Sequence, residues 1–150
     1  MGWENCHLHE FEIAGKRYGD PSSMDEVEDE ANYRLSCTIK SGIKKFRYNY
    51  DFGDDWSHSI VVEGLEPEIA DVQYPKCVAG KRACPPEDCG GVWGYGELLQ
   101  ILATPDHPER EERLGWLDRE IDPAAFSLEA TEQALRAHFP AKGKPRLQIG

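Results

Sequence analysis

The sequence predicts an α+β fold: a largely antiparallel sheet followed by a C-terminal group of about three helices packed on one face. Three observations carry that expectation. Apolar and aromatic residues alternate with period two through much of residues 7–63. Proline and glycine then break all periodicity between Pro67 and Gly91. The last third repeats with helical spacing.

The elements follow in order. Residues 7–13 put His7, His9, Phe11 and Ile13 on one side of a strand, and Ala14-Gly15 turns it into a hairpin partner over Lys16–Tyr18. Residues 20–30 hold Asp20, Asp25, Glu26, Glu28, Asp29 and Glu30 without a base, a self-repelling run that reads as a mobile loop. Its spacing matches no EF-hand loop. Tyr33, Leu35, Cys37 and Ile39 alternate again and predict a strand over 33–39. After Ser41-Gly42 a longer strand lines up Phe46, Tyr48, Tyr50 and Phe52; Gly53-Asp54-Asp55 forms a loop, and residues 57–63 give a strand with His58, Ile60 and Val62 on one side. The irregular stretch that follows is long for a small domain, and such loops tend to be functional.

Trp93–Ala103 reads as a helix with Tyr95, Leu98, Leu99 and Leu102 on one face, ended by Thr104-Pro105. Asp106-His107-Pro108 starts a second helix with proline at its first position, and Leu114, Trp116 and Leu117 form its apolar side. Ser127 reads as the N-cap of a third, whose Leu128, Thr131, Leu135 and Phe139 face inward. Residues 1–140 are read as a single domain and residues 141–150 as a flexible polar tail.

A chain of 150 residues suits one domain. Leu, Ile, Val and Phe supply only 30 residues, near the level at which disorder becomes a concern; four Trp and six Tyr make up the shortfall, so the core is expected to be aromatic. No apolar run approaches the ~20 residues of a membrane span. The start, Met1-Gly2-Trp3-Glu4-Asn5, is no signal peptide, which points to a cytoplasmic chain. A net charge of −11 disfavours nucleic acid as a partner, because phosphate binding draws on Lys and Arg. The one basic cluster, Lys40, Lys44, Lys45 and Arg47, reads as a solvated strand face.

Five cysteines without an export signal are expected to be reduced. Cys77, Cys84 and Cys89 lie within 13 residues of the irregular stretch and suit three ligands of a tetrahedral zinc site, with the fourth from His7, His9, His58 or Cys6. The alternatives are structural thiols, or a redox or nucleophilic cysteine. A second candidate joins His7 and His9, two residues apart on a strand, to Asp51, Asp54, Asp55 and His58, an N/O donor set suited to Zn, Mn or Fe. Against it, the aspartates satisfy turn backbone and the histidines bond within the sheet. The run Gly90-Gly91-Val92-Trp93-Gly94-Tyr95-Gly96 matches no phosphate loop and reads as a tight turn into a helix.

Three strings carry a resemblance: Gly2-Trp3 through His7-Leu8-His9-Glu10-Phe11; Tyr50-Asp51-Phe52-Gly53-Asp54-Asp55-Trp56 with His58 and Ile60; and Tyr74-Pro75 through Cys77, Gly80, Arg82-Ala83-Cys84-Pro85-Pro86-Glu87-Asp88-Cys89-Gly90-Gly91. With Gly94-Tyr95, His107-Pro108-Glu109 and Trp116-Leu117, they make residues 2–139 closely resemble the plasmid pRiA4b ORF-3-like family, itself described as similar to the TnpR passenger protein of an insertion element. The resemblance implies an α+β fold and a link to mobile elements, and carries no activity with it. It also implies a strand and an amphipathic helix ahead of Gly2-Trp3, whose lack would leave a sheet edge and an apolar surface open. The expected function is therefore a small cytoplasmic binding or interaction domain that meets a protein partner, or itself, through an exposed sheet edge. The alternative is a metal-dependent hydrolase or nuclease using the His/Asp set or the cysteine loop; the sequence establishes no cofactor, and zinc is the one it offers.

Overall fold

Period-two alternation becomes a five-stranded sheet of order β3-β2-β1-β4-β5, antiparallel except for the β2–β3 pair. The computed structural model describes residues 2–117 and 120–139, so the tail expected over 141–150 lies outside the described residues. The strands are β1 (His9–Ile13), β2 (Lys16–Gly19), β3 (Glu28–Asp29), β4 (Lys45–Tyr50) and β5 (Trp56–Val61). A short 3-10 helix over Glu30–Asn32 and α1 (Leu35–Lys40) separate β3 from β4; α2 (Gly91–Ala103), α3 (Arg110–Trp116) and α4 (Leu128–His138) follow the sheet. The α+β class expected from the sequence holds.

The chain divides into two compact units, Met1–Leu65 with Cys84–Glu120 and Glu66–Ala83 with Ile121–Gly150. In the first, register sorts the two faces of the sheet. His9 pairs with Tyr50 and Tyr50 with Trp56; Phe11 pairs with Tyr48 and Tyr48 with His58. One face is thus a ladder of rings, and Phe11 and Tyr48 sit 4.9 Å apart between centroids. Such pairs contribute about 0.5–1.5 kcal/mol beyond the area they bury. The other face is polar, with Arg17 on Glu10 at 2.7 Å and Arg47 near Glu12 at 3.8 Å. Among the described residues, Phe46, Tyr50, Trp56, Leu98 and Ile101 are the buried hydrophobic ones. The core is aromatic, as the composition requires.

In the second unit, α4 is capped as expected, Ser127 Oγ accepting from Ala130 N at 3.1 Å. Cys77 N donates to Glu132 of α4, and Gln73 Nε2 donates to the carbonyl of Phe139 at 2.6 Å. Among the expected inward residues of α4, Thr131 and Leu135 are half-buried, whereas Leu128 and Phe139 are exposed.

Several expected elements are corrected. Residues 33–39 are not a strand: Leu35 begins α1, where Leu35 and Cys37 are exposed. Over so few residues, alternation cannot separate strand from helix, and the i, i+4 pair Leu35–Ile39 serves a helix equally well. Ser41 Oγ bonds the Thr38 carbonyl at 2.6 Å, and Gly42 at φ +91° ends the turn. Phe52 does not extend β4, because Asp51 at φ +58° turns the chain first, and Phe52 is exposed. The acidic run is ordered locally. Asp20 accepts from Ser22 and Ser23, Asp29 from Ala31 N, and Glu28–Asp29 pair with β2. Pro108 precedes α3 instead of opening it. No helix among the described residues is long and apolar enough to cross a membrane.

The entry to α2 is set by two glycines. A Cβ at Gly91, whose φ is +65°, would lie 2.1 Å from the Asp54 carbonyl oxygen, and one at Gly94 would lie 2.2 Å from that of Cys89. Gly96, in the same helix, meets nothing within 4 Å. In urea unfolding, Gly96→Ala is expected to stabilise by about 0.5–1 kcal/mol through helix propensity. Gly91→Ala and Gly94→Ala are each expected to cost about 2 kcal/mol or more, because rigid backbone must move.

Candidate metal centre

The centre starts from Tyr50, the last residue of β4. Its ring is 2% exposed and stacks on Trp3 at 5.0 Å and 17°. Trp3 also meets Trp56 at 5.3 Å, and its Nε1 donates to the Pro85 carbonyl at 3.0 Å. The stack fastens the N-terminal arm to the loop that enters α2. Glu4 N strengthens the link, donating to Glu87 Oε1 at 2.8 Å. The Tyr50 hydroxyl then accepts from Cys6 N at 3.2 Å and donates to Glu87 Oε1 at 3.0 Å. Burial, and next the Glu87 carboxylate, hold the Tyr50 phenol well above the usual tyrosine range.

After Tyr50 the chain turns sharply. Asp51 N donates to the Leu8 carbonyl at 2.9 Å, and Asp51 Oδ1 accepts from Gly53 N at 2.9 Å and Asp54 N at 3.3 Å. A buried carboxylate is costly unless bonded, and this turn bonds one of its oxygens. The Asp54 carboxylate reaches to the start of α2, accepting from Gly90 N at 3.1–3.2 Å. That contact fixes the loop bearing Glu87 and Asp88 against the turn bearing Asp51.

His7 sits where arm, turn and loop meet. Its Nε2 lies 3.3 Å from Asp88 Oδ1, 3.8 Å from Asp51 Oδ2 and 4.0 Å from Glu87 Oε2. His7 Nε2 and Glu87 Oε2 are both buried without a hydrogen-bond partner. Two groups here bring three ligand atoms within 4.8 Å of one another: His7, Asp51 and Asp88, and Cys6, His7 and Glu87. This donor set suits a divalent cation.

The structure joins His7 to Asp51 and sends the other residues of the His/Asp set elsewhere. His7 precedes β1, so it does not share a strand face with His9. His9 Nε2 meets Glu30 at 3.1 and 3.2 Å, and His58 Nδ1 lies 3.3 Å from the Tyr48 carbonyl. Asp54 is spent on Gly90, and Asp55 on Asn49 at 3.0 Å. Of the cysteines, Cys77 belongs to the second unit, where its Sγ lies 3.5 Å from the Ala79 carbonyl; Cys84 and Cys89 belong to the first. Burial, then the negative charge of Asp54, pushes the Cys89 thiol up to about 11. Tyr50, Glu87 and Asp88 are the site residues that sequence reasoning missed. Their signal was Pro-Pro-Glu-Asp inside the cysteine stretch, two acids held by a stiff proline pair and passed over for the thiols around them.

The family model described as "Plasmid pRiA4b ORF-3-like protein" matches residues 1–130. Uncharacterized protein y4hQ of Sinorhizobium fredii is 36% identical over 139 residues, spanning 90% of this chain and 71% of that protein. The crystal structure of MM3350, a protein of unknown function from Methanosarcina mazei Go1, superposes with a TM-score of 0.75 at 40% identity, covering 85% of this chain and 74% of that one.

Tyr50→Phe removes the hydroxyl that joins arm, strand and loop, and is expected to cost about 1–2 kcal/mol in urea unfolding at neutral pH. A group whose folded pKa is raised contributes stability that is present below its unfolded pKa and lost as pH rises toward the folded one. With Tyr50 and Cys89 both raised, the urea midpoint of the wild type should fall from about pH 9 upward. Tyr50→Phe should flatten that fall above about pH 10.

Proposed function

The chain belongs to the plasmid pRiA4b ORF-3-like family, and we propose that it is a small binding domain built around one divalent-cation centre held by His7, Asp51, Glu87 and Asp88. The observation that carries this reading is how the two inner carboxylates divide their oxygens. Asp51 commits Oδ1 to the turn amides and turns Oδ2 toward His7 Nε2. Glu87 commits Oε1 to Tyr50 and Glu4 and leaves Oε2 buried and unbonded beside the same nitrogen. One oxygen is oriented by a second layer of hydrogen bonds while the other stays bare, the arrangement that orients metal ligands. The spacing supports it as well. Ligands at zinc distances around a tetrahedral centre lie roughly 3.3–3.6 Å apart, and the nitrogen–oxygen separations here run from 3.3 to 4.0 Å.

A second reading, self-association through a sheet edge, draws on β5. It is an outer strand of the sheet, and Ser57, Ser59 and Val61 along it are exposed. An outer strand of six residues can pair with its own copy about a two-fold axis. Sedimentation should then show mass rising with concentration, and Val61→Lys should keep the chain monomeric.

For the cation centre, isothermal titration of chelator-treated protein with zinc or manganese is expected to give a single site per chain. His7→Ala should weaken binding about ten-fold or more. So should Asp88→Asn, at an exposed position where folding is not at stake. Tm should rise with metal in the wild type and stay flat in the variants. Binding that is absent in the wild type, or unchanged in both folded variants, would overturn the reading.

A further inference from the structure

We infer that Cys6 supplies a thiolate to this centre and makes it a zinc site in preference to a magnesium or manganese one, an inference that rests on the cation reading above. Cys6 Sγ, a ring nitrogen of His7 and a Glu87 oxygen lie within 4.8 Å of one another. The sulfur is 3.9 Å from the Tyr50 hydroxyl, the group that also orients Glu87. Cys6 is held in place by its backbone. Its N–H bonds that hydroxyl, and Asn5 at φ +58° turns the arm just ahead of it. The residue is exposed. Around a tetrahedral zinc a thiolate sulfur lies roughly 3.5 Å from its nitrogen and oxygen neighbours, so closure asks for a movement of about 1 Å.

The chemistry gives Cys6 its role. One imidazole and a set of carboxylates form a hard to borderline donor set that magnesium, manganese and zinc all enter. A single thiolate tips that set toward zinc and its spectroscopic substitute cobalt. On binding, the Cys6 S–H bond breaks, the proton leaves to solvent and the sulfur lone pair forms the metal bond, with no change in oxidation state. Cys6, His7 and Glu87 are then three of the ligands.

Cobalt(II) titrated into the reduced full chain tests this directly. The wild type is expected to show visible d–d bands together with a near-ultraviolet thiolate-to-cobalt charge-transfer band. Cys6→Ser should keep visible bands and lose the charge-transfer band, and the preference for zinc over manganese in competition titrations should fall about ten-fold or more. Visible bands without charge transfer in the wild type, or a charge-transfer band that survives Cys6→Ser, would overturn the role of Cys6 and leave the cation centre standing. No cobalt spectrum, together with no heat on zinc addition, would overturn both.

Discussion

The Tyr50 hydroxyl is the bond on which the rest of this structure depends. Its ring closes the aromatic ladder between His9 and Trp56 and carries Trp3 on its face. Its oxygen reaches a backbone amide 44 residues before it and a carboxylate 37 residues after it. Core packing and site assembly are thus the same event for this residue. The phenol can do both because a buried tyrosine keeps an apolar body and needs one polar partner at its tip. Here it finds two. Phenylalanine would pack as well and connect nothing.

That bond explains why the candidate site lies on the arm, the turn and the α2 entry. A strand end offers rigidity, and the turn after it offers backbone amides to bond one carboxylate oxygen. Asp51 takes that position with a left-handed backbone, and Asp54, three residues on, reaches the amide of Gly90. The glycines follow from the approach of loop to turn. The Asp54 carbonyl lies where a Cβ of residue 91 would be, so the loop bearing Glu87 and Asp88 reaches the turn only through a residue without a side chain. The same backbone that builds the turn sets the distance from His7 to the acids.

The sheet was legible in the sequence because its information is local. Alternation through His9–Ile13 and Lys45–Tyr50 names the buried face, and one residue of slip would have turned Phe46, Tyr48 and Tyr50 outward. Ser127 was legible as a cap for the same reason. Residues 33–39 failed because six residues of α1 hold too few turns to display helical spacing against alternation. The site failed in part for a different reason. Contacts such as Glu4 with Glu87 and Trp3 with Pro85 span 83 and 82 residues, and no local pattern records them. His7 and His9 read as one pair by spacing, yet β1 begins at His9, so the two imidazoles part, one to Glu30 and the other to Asp51. The cysteine stretch drew attention as a zinc loop, whereas it was its acids, Glu87 and Asp88, that the fold brought to His7.

The proposed cation at His7 rests on charge and spacing. Three carboxyl groups lie within 4.0 Å of the His7 imidazole, in a chain whose net charge is −11. Like charges that close together oppose one another strongly where water is partly excluded. His7 Nε2 stands back from all three acids at once, the nearest at 3.3 Å, and meets none of them as a hydrogen-bond partner. A divalent cation would offset two negative charges there. The proposal also suits the observed spread, in which His7 Nε2 lies 3.3–4.0 Å from three carboxylate oxygens without a hydrogen bond to any of them. The bare oxygen of Glu87 and the bare nitrogen of His7, both buried without a hydrogen-bond partner, are the two atoms on which the proposed cation reading rests.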